Sequence, residues 1–218
     1  MRLIKVSKPY YKNISILLKK EILKKKNKNI FLTGGNTFKK IYSEMNLNLP
    51  EKIFKKKLFY ITDERINVNL KNTNYFNIYN NFFKKKYTAN FENINLRIKN
   101  LTKEVIRYSH KLPIFPDLTF LSLGKYGHVA SVFQKSNLLC CNERVGFKKK
   151  TNNLETRISL SMSYINKSKR VILVVGPDKI SELKNFFKKN HNCPASKIDK
   201  KKICIYIYDK EYKKTFNL

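Results

Sequence analysis

Four short segments gather the residue types that do chemistry: TGGNT (33–37), TDER (62–65), GKYGH (124–128) and GPDK (176–179). GKYGH is the most specific. It sets His128, one of three histidines in the chain, after a turn framed by Gly124 and Gly127. An imidazole near neutrality can take a proton from water as a general base. The competing reading is a histidine that only packs or hydrogen-bonds locally. A carboxylate would be the usual partner for a working imidazole, yet Tyr126 stands beside it. His110 and His191 lie among lysines and read as solvated surface.

In TGGNT, glycines let the backbone approach a ligand, and a following helix would offer free N–H groups to a phosphate. An ordinary strand-to-helix turn capped by Asn36 or Thr37 fits the same residues. TDER carries two carboxylates and Arg65, whose guanidinium matches phosphate or carboxylate oxygens; a solvated turn with a local ion pair is the alternative. In GPDK, Lys179 falls near a helix start, where a cation is unfavourable unless it faces an anion. A flexible surface lysine is the plainer reading.

Apolar runs and helical periodicities must position these segments. Residues 11–26 and 37–45 are spaced as helices, with 74–83, 101–111 and 181–190. NIFLT (29–33), LFYIT (58–62), LTFLSL (118–123), VILVV (171–175) and ICIYIY (203–208) read as buried strands. RISLS (157–161) is a shorter strand, followed by a helical MSYINKS, and a weak strand is expected at 96–98. The segment 148–153 reads as a surface loop. Continuous apolar strands alternating with helices predict an α/β fold. The expected architecture is one doubly wound, mostly parallel sheet with helices on both faces, a Rossmann-like single domain over residues 1–218. Ligands of such sheets bind beyond the carboxyl ends of the strands, where all four segments fall.

The net charge of +32 invites a nucleic-acid reading. The composition argues otherwise: 40 lysines stand against 7 arginines, with 26 asparagines and 3 alanines, a bias toward A/T-rich codons. Specific readers of nucleic acid favour arginine. The positive field would still draw small anions. Cys140, Cys141, Cys193 and Cys204 form no C-x-x-C pair and read as free thiols of a reducing cytosol. There is no apolar run long enough to span a membrane and no signal-peptide pattern, so a cytoplasmic protein is expected.

Taken in order, the segments resemble the 6-phosphogluconolactonase family, in the superfamily that includes glucosamine-6-phosphate deaminase. The matching stretches are TGGNT, DER with TNY (73–75), LGKYGHVASVF (123–133), RISLS, VVGPDK (174–179) and PAS (194–196). They cover nearly the whole chain. The resemblance implies hydrolysis of 6-phospho-D-glucono-1,5-lactone to 6-phosphogluconate in the oxidative pentose phosphate pathway. It implies His128 as the general base, with Asp63 and Arg65 as the other catalytic residues. Gly34, Gly35, Asn36, Thr37, Arg157 and Lys179 would hold the substrate phosphate. No metal or cofactor is implied, the partner is a small phosphosugar lactone, and the molecule would be a monomer or homodimer.

The chain departs from the family pattern at Tyr126, where the family has Asp, and at Asn36, Phe38 and Gln134, where it has Ser, Pro and often Pro. A weakly active or inactive relative is one alternative reading. A related phosphosugar isomerase or deaminase is another; those enzymes resemble G-H-I-A-F-N-E, whereas no acid occurs at 129–134 here. A basic nucleic-acid-binding protein is the reading from a different class.

Overall fold

The structure, a computed structural model, describes residues 1–45, 54–84, 90–151, 154–187 and 193–216. Seven strands form a parallel sheet: β1 (Arg2–Val6), β2 (Asn29–Leu32), β3 (Leu58–Ile61), β5 (Phe91–Glu92), β6 (Leu118–Ser122), β9 (Val171–Val175) and β10 (Ile203–Tyr208). Their order is β1-β10-β9-β6-β2-β3-β5. All five residues of β9 and all six of β10 are buried. Successive strand residues point to opposite faces, so both faces of the sheet are covered there. The runs VILVV and ICIYIY are apolar without alternation for that reason.

The strand order reverses between β2 and β6. From β2 the chain moves outward through β3 to β5, and β6 restarts on the other side of β2. This switch point opens a crevice at the carboxyl ends of β2 and β6. TGGNT leaves β2 and GKYGH follows β6, so the topology sets the two segments side by side.

A second sheet of three antiparallel strands, β4 (Asp63–Arg65), β8 (Arg157–Leu160) and β7 (Val145–Lys148), has the order β4-β8-β7. The helices include α1 (Tyr10–Leu23), α2 (Gly35–Glu44), α3 (Asn74–Asn77), α4 (Leu101–Lys111), α5 (Met162–Ile165), α6 (Leu183–Phe187) and α7 (Asp209–Phe216). The helical spacing at 11–26 is realised as α1, which buries Ile14, Leu18 and Ile22. After Asn77 the backbone widens into a π-turn over Ile78–Phe82. Asn80 and Asn81 donate side-chain hydrogen bonds to the carbonyls of Phe76 and Asn77, competing with the α-helical ladder. Part of the helix expected at 181–190 is a 3-10 turn ending at Glu182, and residues 188–190 lie outside the described residues.

Two expectations are corrected, and one strand is added. No strand forms at 96–98; the strand that pairs with β3 at the edge of the large sheet is Phe91–Glu92. Asn67 takes the polar groups a strand would use there: its backbone N–H donates to the Leu96 carbonyl, and its side chain pairs with both backbone groups of Ile98. Lys148 belongs to β7 rather than to a loop, while residues 152–153 of that segment lie outside the described residues. Arg2–Val6 is a strand that the sequence reading passed over. It is one of the two edge strands of the large sheet, and only Val6 is buried, so it lacks the unbroken apolar run of the central strands. His110 is exposed near the end of α4, and His191 lies outside the described residues. All four cysteines are free. Among the described residues no helix is long and apolar enough to cross a membrane.

Candidate active site

The first half of the site is a cation-lined cleft of about 390 Å³ at the start of α2. Its walls include Gly35, Asn36, Lys39, Arg65, Lys71 and Arg157. Gly35 has φ +83°, a conformation that favours glycine. No side chain caps α2 and no acid lies in its first turn, so its leading N–H groups stay available to an anion. Gly34 is required by crowding, since a Cβ there would overlap the Asn74 side chain. Asn74 in turn donates to the Asp63 carbonyl (2.9 Å), and Asn77 donates to the Gly35 carbonyl (3.0 Å). Arg65 is held by an Nη1 hydrogen bond to the Asn72 carbonyl (2.6 Å).

Of the residues expected to hold a phosphate, Gly35, Asn36 and Arg157 line this cleft. Thr37 lines a neighbouring cleft with Lys40 and Asp178 and lies close to Gly176. Lys179 pairs with Asp178 (2.7 Å) and lines neither cleft. Lys39 and Lys71 take places the sequence reading did not assign. Lys39 had a signal, four residues after Gly35 and so on the same helical face; Lys71 had none.

The small sheet joins this cleft to the histidine. Its register pairs Asp63 with Ser159 and Gly146, and Arg65 with Arg157 and Lys148. By strand alternation these two rows share one face, and Glu64 points to the other. The segment after His128 docks on the first face. Ser131 donates its hydroxyl to Asp63 Oδ2 (2.6 Å), and its backbone N–H donates to Ser159 Oγ (3.2 Å). Asp63 also accepts from the Thr62 hydroxyl and is buried. It therefore fixes the histidine loop and does not bond to the imidazole.

Glu64 is fully buried and accepts three backbone N–H bonds, from Arg65 and Asn74 on Oε1 and from Tyr75 on Oε2. Burial pushes its carboxyl up to about 7, with the Asp63 charge adding, against the pull of those three donors. Its role is to tie β4 to the start of α3.

His128 lies against Gly124; a Cβ on Gly124 would overlap the ring. The turn between them puts Tyr126 at φ +58° and Gly127 at φ +73°. Gly127 is also packed on Cys193, whose sulfur a Cβ would strike. The imidazole Nδ1 lies 2.8 Å from the Lys125 carbonyl. A carbonyl only accepts, so Nδ1 carries the proton of the neutral ring and Nε2 keeps its lone pair. Burial holds the His128 pKa below its ordinary value; Arg157 acts in the same direction, while the Lys125 carbonyl, Asp63 and Glu182 oppose it. The Phe133 ring packs on the imidazole with centroids 4.7 Å apart.

Tyr126 does not stand in for the missing carboxylate. It is 60% exposed and its ring lies beside Lys125 Nζ. The main chain orients the imidazole instead. Burial likewise lowers the Arg157 pKa, with Arg65 adding and Asp63 opposing, and Arg157 Nε is buried without a hydrogen-bond partner. Among the described residues no group of three or more His, Cys, Asp or Glu could hold a metal ion.

A cationic cleft and a histidine with a free Nε2, facing one switch point, define a doubly wound α/β protein equipped for a small anionic ligand. Comparison with known proteins narrows the class. Residues 5–207 match the model of the family of glucosamine-6-phosphate isomerases/6-phosphogluconolactonase, and the chain belongs to that family. A curated 6-phosphogluconolactonase of Borreliella burgdorferi is 29% identical over 193 residues, covering 79% of each chain. The crystal structure of 6-phosphogluconolactonase from Thermotoga maritima superposes with a TM-score of 0.80 at 22% identity, covering 95% of this chain and 98% of that one. A monomeric glucosamine-6-phosphate deaminase superposes equally well, with a TM-score of 0.82 at 17% identity over 99% of this chain and all of the other. The fold is thus common to both activities.

Proposed function

We propose that this protein hydrolyses 6-phospho-D-glucono-1,5-lactone to 6-phosphogluconate, with His128 as the general base. The observation that carries the reading is the Lys125 carbonyl on His128 Nδ1, which leaves Nε2 free to accept a proton. The family membership and the similarity to a protein named as a 6-phosphogluconolactonase support the substrate. The phosphate would sit at the start of α2, against Gly35, Asn36, Arg65 and Arg157. Thr37 would act from the neighbouring cleft, and Lys179, paired with Asp178, from outside both clefts.

In the reaction, Nε2 takes a proton from water as its oxygen attacks C1. The carbonyl becomes a tetrahedral oxyanion, which preorganised positive charge in the site stabilises. Collapse of the intermediate breaks the bond from C1 to the ring oxygen, and the imidazolium returns the proton to that oxygen. The product acid then ionises to a carboxylate. Held by the phosphate, the lactone is kept in attack geometry. Asp63 serves through Ser131, fixing the loop that carries the base.

A deaminase reading is less well supported, because among the described residues no carboxylate hydrogen-bonds to the His128 ring, and Phe133 packs on it. The test is hydrolysis of freshly made lactone above the spontaneous rate, beside ammonia release from glucosamine 6-phosphate. Wild type is expected to accelerate only the first reaction, and His128→Ala to lose roughly 10²–10⁴-fold of it. Ammonia release without lactone hydrolysis would overturn the assignment.

A further inference from the structure

The small sheet holds Arg65, Arg157 and Lys148 at one register level, on three adjacent strands. Cross-strand partners point to the same face, and like charges set directly opposite destabilise a sheet. Among the described residues relief is partial: the Asp63 carboxylate favours the charged Arg157, and Arg65 donates to the Asn72 carbonyl. Arg157 reaches Glu155 only at 3.5 Å, with the Glu155 side chain half exposed. Lys148 makes no ion pair among the described residues. A row of three cations, one of them without an ion pair among the described residues, is suited to an anionic ligand.

The row has two ends. Arg65 and Arg157 line the cleft at the start of α2. Lys148 stands at the other end, with Nζ 4.8 Å from the centre of the Phe133 ring, the ring that packs on His128. Arg157 meets the same ring from 5.7 Å. One aromatic side chain thus gathers the base, a guanidinium and an ammonium.

On the proposed lactonase reading, the substrate has a phosphate at one end and an uncharged ester at the other. Hydrolysis puts an oxyanion and then a carboxylate at the uncharged end. We propose that Lys148 is the cation for that end, binding the negative charge that forms at C1. The inference rests on the lactonase reading, and it separates Lys148 from the phosphate contacts. A phosphate ligand would recognise substrate and product alike. Lys148 would recognise the product and the intermediate but gain little from the neutral lactone.

The experiment measures binding of 6-phosphogluconate and of sorbitol 6-phosphate, which lacks the carboxylate, to wild type, Lys148→Met and Lys148→Arg. Steady-state kinetics and thermal melting accompany it. Lys148→Met is expected to weaken 6-phosphogluconate roughly tenfold, as for a lost charge-assisted hydrogen bond, while sorbitol 6-phosphate is unchanged. The same variant should lower kcat with little change in KM, and Lys148→Arg should restore both. Equal weakening of the two ligands would make Lys148 a phosphate contact and overturn the inference. Unchanged binding with only a lower melting temperature would make it structural and also overturn it. If wild type binds both ligands without hydrolysing the lactone, the lactonase reading fails while the ligand comparison still decides Lys148. Binding of neither ligand overturns both.

Discussion

Gly124→Ala isolates the placement of the imidazole from its chemistry. Gly124 has φ −99° and ψ 176°, extended backbone open to any residue, so alanine brings no backbone strain. What it brings is a methyl group inside the space of the His128 ring, where it would meet Cε1, Nε2 and Nδ1 together. Ordinary contact needs roughly 3.5 Å, so the ring must retreat by more than about 1 Å. That retreat breaks the 2.8 Å bond from Nδ1 to the Lys125 carbonyl and lifts the ring toward solvent. A misplacement of about 1 Å costs on the order of 10²-fold in rate. Lactone hydrolysis should fall by that factor, with a melting temperature close to wild type. The His128 pKa, followed by NMR, should rise toward its ordinary value as burial is relieved. In wild type the same titration, lying below the ordinary histidine value, marks where activity is lost as pH falls and Nε2 becomes protonated. A Gly124→Ala protein with activity within twofold of wild type would refute the argument that the glycine exists to seat the ring.

Two further predictions test the framework around the site. Tyr126→Asp restores the family's residue at an exposed position with φ +58°, which Asp tolerates better than Tyr; activity should change less than about fivefold because the main chain already orients the ring, and a gain near 10²-fold would show that the carboxylate is the true partner. Glu64→Gln places an amide N–H₂ against the Tyr75 N–H donor and should cost about 1–3 kcal/mol in denaturant unfolding. Because the folded Glu64 pKa of about 7 lies above its ordinary 4.5, the folded state binds the extra proton between these values, and this term falls as pH rises through that window. The variant should remove that component from the pH dependence of stability; an unchanged profile would place the titration elsewhere.

The long parallel strands were legible because burial on both faces leaves an unbroken apolar run, as in VILVV and ICIYIY. The helix at 101–111 was legible from periodicity, and its cap, Asn100, accepts from the Lys103 N–H as a capping residue should. The small sheet was harder. β4 is three polar residues, DER, and reads as a turn; its strand character comes from pairing with β8, which is distant in sequence. β7 is only four residues, VGFK, and runs straight into a lysine cluster. RISLS was read as a strand and is β8, but with β4 and β7 unread no register could place Lys148 beside Arg157, and the docking of Ser131 on Asp63 had no local signal. The glycine-framed turn did signal its histidine, but the partner of that histidine is a carbonyl, which every residue carries and no motif can display.

That last feature bears on how the protein tolerates mutation. A side-chain partner is one codon, and a single base change can delete it. The Lys125 carbonyl survives any substitution at position 125 that preserves the turn. The fragile positions are instead Gly124 and Gly127, where any larger side chain meets the imidazole or Cys193. Orientation of the imidazole here rests on the smallness of two residues and not on the identity of an acidic one. A sequence drifting under a strong compositional bias can then exchange most of this loop, its tyrosine included, while the geometry at His128 stays where the backbone puts it.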